Sequence, residues 1–186
     1  MIHKIGEYEI KLTLENSYHR GSHDNVTLFD HQYIFGEGQP TVQIGIAIYK
    51  NDVRLRGALI AGTEGTTCIH EKSQVVNEDG IAICCSNLVF KLSLPSLKLL
   101  WVTEADRITC FEIFEINDDY IIHGEISISR LASNGQLIWQ KIGKDIFATI
   151  DGVSDDFKIE NNIILATDFE GNRYRFNLDG EEIFVK

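Results

Sequence analysis

Three stretches of this 186-residue chain place imidazoles and carboxylates close enough to share chemistry. The first runs His19-Arg20-Gly21-Ser22-His23-Asp24 and on to Asp30-His31. Imidazole with carboxylate is a donor set suited to zinc or another first-row metal. A His-x₃-His pair aligns as two ligands mainly when a helix brings the positions together, and Gly21-Ser22 opposes a helix. The expectation is therefore a solvated loop with no bound metal, His19, His23 and His31 being the candidate ligands. The second and third stretches, His70-Glu71 and His123-Gly124-Glu125, pair an imidazole with a carboxylate as general acid-base chemistry would need.

Other catalytic patterns are absent from the sequence. Ala61-Gly62-Thr63-Glu64-Gly65-Thr66-Thr67 has the glycines of a phosphate loop but neither its lysine nor a following helix, and there is no G-x-S-x-G elbow. Cys68, Cys84, Cys85 and Cys110 lie in apolar, strand-like context without the C-x₂-C spacing of a zinc site. They read as buried, reduced thiols. Adjacent residues of a strand point to opposite faces, so Cys84 and Cys85 should not bond to each other. No cofactor is expected.

These residues must be positioned by strands. Apolar residues alternate in short runs, as in Glu9-Ile10-Lys11-Leu12-Thr13-Leu14 and Val42-Gln43-Ile44-Gly45-Ile46-Ala47-Ile48, the period of half-buried strands. Helix signals are nearly lacking. Turn signals are frequent: Lys50-Asn51-Asp52, Asn134-Gly135 and Asp179-Gly180 each separate two such runs. With 44% apolar residues the chain can bury a core without disulfides or metals.

From Thr67 onward the pattern repeats three times. Each copy has an acidic or amide turn (Asn77-Glu78-Asp79-Gly80, Asn117-Asp118-Asp119, Glu160-Asn161-Asn162) and ends on an aromatic residue (Trp101, Trp139, Phe184). Setting Ile81, Tyr120 and Ile163 equivalent spaces the copies by 39 and 43 residues, the length of a four-stranded propeller blade. In the second copy the strands are expected at 111–116, 120–124, 126–131 and 136–141. The fold class expected is all-β: a propeller-like stack of three four-stranded blades (67–103, 108–142 and 147–186) on a divergent N-terminal β region. That region, residues 1–64, has runs at 8–14, 32–35, 42–49 and 53–60 and would form a fourth blade or a capping sheet, the whole making one compact unit.

The run Ile128-Ser129-Arg130-Leu131-Ala132-Ser133-Asn134-Gly135-Gln136-Leu137-Ile138-Trp139 resembles the β-propeller repeat of the quinoprotein-like family, whose blades end in a strand, a glycine-containing turn and a docking tryptophan. Leu92 to Trp101 and Phe176 to Phe184 are weaker versions. The resemblance implies a structural role for the tryptophans, wedged between blades. It implies no activity, because the ligands that quinone-dependent enzymes of this type carry are not matched here.

Seventeen basic and 28 acidic residues give a net charge of −11. Such a surface repels phosphate backbones and anionic lipid, so neither nucleic acid nor membrane is expected as a partner. No run of 18 apolar residues occurs. A cytoplasmic location is expected, from the reduced thiols and the lack of an export-type N-terminal segment. Function is then expected to be non-enzymatic: an interaction module that binds a basic protein through acidic turns, in the manner of an adaptor or of an immunity protein that neutralises a basic toxin. Asp118, Asp119, Asp151, Asp155 and Asp156 are the candidate contacts. The alternative is a small-ligand binder or hydrolase-like enzyme at the propeller axis, using His123, Glu125, His70 and Glu71, with His123 on an inner strand.

Overall fold

The computed structural model describes residues 1–148 and 157–183, and in these no helix forms. Sixteen strands build four sheets. The first contains β1 (Ile2–Ile5), β2 (Tyr8–Leu14), β3 (His31–Ile34), β4 (Val42–Lys50) and β5 (Val53–Gly62), in the order β1-β2-β4-β5-β3. Its β3 lies parallel to β5, whereas its other pairings are antiparallel. The second sheet is the meander β6 (Gln74–Asn77), β7 (Gly80–Cys85), β8 (Leu88–Leu92) and β9 (Leu99–Glu104). The third is β10 (Cys110–Ile116), β11 (Asp119–Gly124), β12 (Ser127–Leu131) and β13 (Leu137–Ile142). In the fourth, β14 (Phe157–Glu160), β15 (Ile163–Thr167) and β16 (Arg173–Asn177) are followed by a single bridge from Phe176 to Glu182. Consecutive antiparallel meanders stacked face to face are a propeller-like arrangement.

The stacking follows from alternation. In β7, Ile81, Ile83 and Cys85 turn toward the first sheet and join Ile10, Ile44, Ile46 and Ile60. Ala82 and Cys84 turn the other way and join Cys110, Ile113, Tyr120 and Ile122 of the third sheet. A last cluster, with Ile121, Ile128, Phe147, Phe157, Ile164 and Phe176, seals the third sheet to the fourth. Each middle sheet thus packs on both faces, and its second strand reads as a nearly continuous buried run, while its last strand is half-buried or exposed. Among the described residues no apolar cluster joins the first sheet to the last.

The pairings define equivalent rungs: Val75-Ala82-Lys91-Trp101 in the second sheet, Phe114-Ile121-Arg130-Trp139 in the third and Lys158-Leu165-Arg175 in the fourth. They correct the spacing read from the sequence. Ile164, not Ile163, pairs with Phe176 as Ile81 pairs with Leu92 and Tyr120 with Leu131. Ile163 is the residue just after its turn and corresponds to Gly80 and Asp119.

The tryptophans dock one sheet on the next. Trp101 Nε1 donates to the Ser133 carbonyl at 3.0 Å, and its ring covers Gly135 in the β12–β13 turn. Trp139 Nε1 donates to the Leu178 carbonyl at 2.9 Å, and its ring covers Gly180. In both cases the acceptor lies two residues before the glycine. At the first interface Tyr33 of β3 takes this part, its hydroxyl donating to the Leu97 carbonyl and accepting from Leu99 N, both at 3.1 Å. Phe184, the third terminal aromatic, lies outside the described residues.

Candidate functional site

The turns that open the second, third and fourth sheets lie side by side at one end of the stack. Asn117-Asp118 and Asn161-Asn162 have φ values between 51° and 68°, the left-handed region that asparagine and aspartate tolerate in two-residue hairpins. Asn77 Nδ2 donates to Glu115 Oε1 at 2.9 Å and ties the first of these turns to the strand entering the second. Between the second and third turns, Phe114, Ile116 and Ile159 floor an open cleft of about 510 Å³, rimmed by Glu115, Asn117, Asn161 and Asn162. Glu78, Asp79, Glu115, Asp118 and Glu160 are all exposed here.

Three cations near this end, Arg130, Lys158 and Lys91, are engaged by neighbours. Arg130 holds Asp119 through Nε at 2.9 Å and Nη2 at 2.7 Å. Lys158 pairs with Glu160 at 3.1 Å. Lys91 is buried, donates to the Tyr120 hydroxyl at 3.0 Å and sits over that ring. Burial lowers the Lys91 pKa, against the pull of Glu115 and Asp79, and burial pushes the Tyr120 phenol up to about 12. Among the described residues Glu78, Asp79, Glu115 and Asp118 have no ion-pair partner. Asp151, Asp155 and Asp156 lie outside the described residues.

The structure brings His70 and His123 into one network and leaves Glu71 and Glu125 out of it. His123, on the second strand of its sheet, points between the third and fourth sheets. Its Nε2 lies 2.9 Å from the Phe147 carbonyl and its Nδ1 3.1 Å from Glu112 Oε2. The Phe147 carbonyl only accepts, so Nε2 is the donor of that bond. Phe157 stacks on the ring at 4.4 Å and 7°. Burial alone would raise the Glu112 pKa, but the hydrogen bond and charge of His123, with Lys72 at 3.4 Å, outweigh it and hold the carboxyl below its usual range. His70 Nε2 meets the Phe111 carbonyl at 3.1 Å, on the strand that carries Glu112. Glu71 is exposed, and Glu125 contributes its backbone, accepting from Phe147 N and donating to the Thr109 carbonyl. In this arrangement the imidazoles fasten sheets and connections.

His19 and His23 are exposed in the segment between β2 and β3, where Asn25 ties back to His19. His31 stands on β3 against Tyr33. Among the described residues no three of the His, Cys, Asp or Glu side chains are grouped as metal ligands.

Sequence reasoning missed Asp106. This buried carboxylate accepts five hydrogen bonds: Oδ1 from Ile108 N and Thr109 N, and Oδ2 from Ile126 N, Ser127 N and Ser127 Oγ, at 2.6 to 3.2 Å. It fastens the connection leaving the second sheet to the β11–β12 turn of the third. Ile108 and Thr109 are local partners, but Ile126 and Ser127 lie 20 and 21 positions away, and no local pattern announces them.

No protein-family model matches the chain, and no curated protein matches it. Solved structures do. BamB from Moraxella catarrhalis aligns with a TM-score of 0.49 and 14% identity, over 75% of this chain and 42% of that one. The AfRom2 CNH domain aligns at 0.47 and 13%, over 77% and 47%. A protein of unknown function from Bacteroides caccae aligns at 0.41 and 15%, over 78% and 56%. The chain spans roughly half the length of each of these. Identities this low bear on no residue and no activity.

Proposed function

We propose that this chain is a non-enzymatic protein-interaction module that binds a basic partner through the end of the stack where Glu78, Asp79, Glu115 and Asp118 gather. The observation that carries this reading is the pairing of exposed carboxylates with an open, apolar-floored cleft beside them. Such a surface takes a lysine or arginine side chain whole, its stem on Phe114 and Ile159 and its charge on the rim. Opposite charge also accelerates encounter. The engagement of His70 and His123 in packing supports binding over catalysis. An adaptor, or an immunity protein that neutralises a basic toxin, fits this chemistry, and the docking of Trp101 and Trp139 on glycine turns supports kinship with quinoprotein-like repeats.

The test compares the wild type with the triple variant Glu78→Gln, Glu115→Gln, Asp118→Asn, leaving Asp119 to hold Arg130. Both are used for affinity capture from the source organism. A lysine- or arginine-rich protein retained by the wild type at physiological salt and released by an equally stable variant supports the proposal. Equal retention by both, or no retained protein, overturns it.

A further inference from the structure

At the end of the first sheet opposite the acidic turns, the β2–β3 connection and the β3–β4 loop border a cleft of about 380 Å³. Val42, at the start of β4, pairs with Gly62, and Gly62 lies against Ser86 in the β7–β8 turn, which fixes the end. Arg20, His19 and Asn16 come from the first connection and Gln39 from the second, while Tyr18, Ile34 and Pro40 supply apolar surface. Among the described residues no carboxylate lines this cleft, whereas Glu15 lines the one beside Phe29 and Glu115 the one beside Phe114. Arg20 and His19 are exposed and make no ion pair among the described residues.

The backbone beneath these side chains is held, although neither connection is regular structure. Tyr18 N donates to the Glu15 carbonyl at 2.9 Å, and Gln43 Nε2 donates to the Tyr18 carbonyl at 3.0 Å. Asn25 brackets His19, accepting from its N–H at 3.0 Å and donating to its carbonyl at 2.7 Å. The Tyr18 ring is buried edge-on against Phe29. Across the cleft, Thr41 N donates to the Gly62 carbonyl at 2.9 Å and the Thr41 hydroxyl to the Gly65 carbonyl at 3.1 Å. Groups presented from a fixed backbone lose less freedom on binding.

We propose that this cleft binds a small ligand through a carboxylate or phosphate group. The Arg20 guanidinium offers a planar fork of N–H donors that matches either oxyanion, and the Asn16 and Gln39 amides add donors. Tyr18, Ile34 and Pro40 take the apolar body of the ligand. The net charge of −11 does not oppose this, since charges more than about 8 Å away are largely screened at physiological ionic strength. The cleft shares no residue with the acidic end.

The full chain, isotope-labelled for amide NMR, is titrated at constant ionic strength with inorganic phosphate in one arm and benzoate in the other. Saturable shifts confined to the amides of residues 16–20 and 38–43 are expected with at least one probe, and the tighter probe identifies the group. Arg20→Gln should weaken that probe by about tenfold or more, the loss of a hydrogen bond to a charged group, with the amide spectrum elsewhere unchanged. Arg56→Gln removes an exposed guanidinium from β5 and should bind as the wild type does. No saturable shift with either probe, shifts spread over lysines and arginines across the surface, or an Arg20→Gln affinity equal to that of the wild type or of Arg56→Gln would overturn the proposal.

Discussion

Arg130 and Trp139 face each other across adjacent strands, and both donate to the carbonyl of Leu178, at 2.7 and 2.9 Å. One acceptor of the fourth sheet thereby holds two long side chains of the third, and Arg130 also reaches Asp179 at 3.6 Å. The equivalent pair in the second sheet is Lys91 and Trp101, reaching Tyr120 and Ser133.

Replacing Trp139 or Trp101 by alanine removes both the ring and its hydrogen bond. Each should destabilise the protein by about 3 kcal/mol. Phenylalanine keeps most of the apolar contact and should cost about 1 kcal/mol, the net worth of the lost N–H bond. Urea denaturation followed by circular dichroism checks both, with the change appearing in the midpoint and not in the slope.

Gly135 and Gly180 have φ of +85° and +78°, and an added Cβ would come within 2.5 Å of Trp101 and 2.8 Å of Trp139. Gly135→Ala and Gly180→Ala should therefore each cost more than the ~1–2 kcal/mol of the left-handed backbone alone. Gly171 has φ of +82° with open space around it, so Gly171→Ala should show the backbone cost without the clash. The difference between the two kinds of variant, read from thermal melts, isolates the tryptophan contact.

Asp106→Asn keeps the shape of the side chain but replaces an acceptor with a donor facing backbone N–H groups. A loss of about 3 kcal/mol is expected, since hydrogen bonds to a buried charge are the strong ones. Asp24→Asn, in the exposed loop, should be nearly silent in the same denaturation experiment.

Glu112 has a folded pKa below its unfolded value. Its contribution is therefore fully present above the ordinary glutamate value of about 4.3 and is lost as pH falls through the lower folded value. Glu112→Gln should flatten the acid limb of the stability profile in that window. A profile for the variant that falls as steeply as the wild type would show that Glu112 does not drive it.

The sheet architecture was legible because its determinants are local. In the third sheet the expected strands agree with the observed ones to within a residue, as alternation and the Asn117-Asp118 and Asn134-Gly135 turns mark their ends. The register of the fourth sheet was not, because Ile163 is an apolar residue in a turn-flanking place that Gly80 and Asp119 fill elsewhere. The strand Ile2–Ile5 escaped notice because His3 and Lys4 interrupt a four-residue edge. For the site, the three acidic turns could be named from the sequence, but the cleft between two of them could not. Nor could the pairing of His123 with Glu112, eleven positions apart, since only the hairpin register sets them opposite each other.

The three apolar clusters each join neighbouring sheets, and within the described residues none reaches from the first sheet to the fourth. Among the described residues apolar cohesion therefore runs along a line and not around a ring. In such an array the cost of opening depends on position: detaching the fourth sheet severs one interface, whereas disrupting the second or third severs two. Damage at the far end should remain confined there, with the sheets nearer the N-terminus keeping their amide protons protected long after the last strands have begun to exchange.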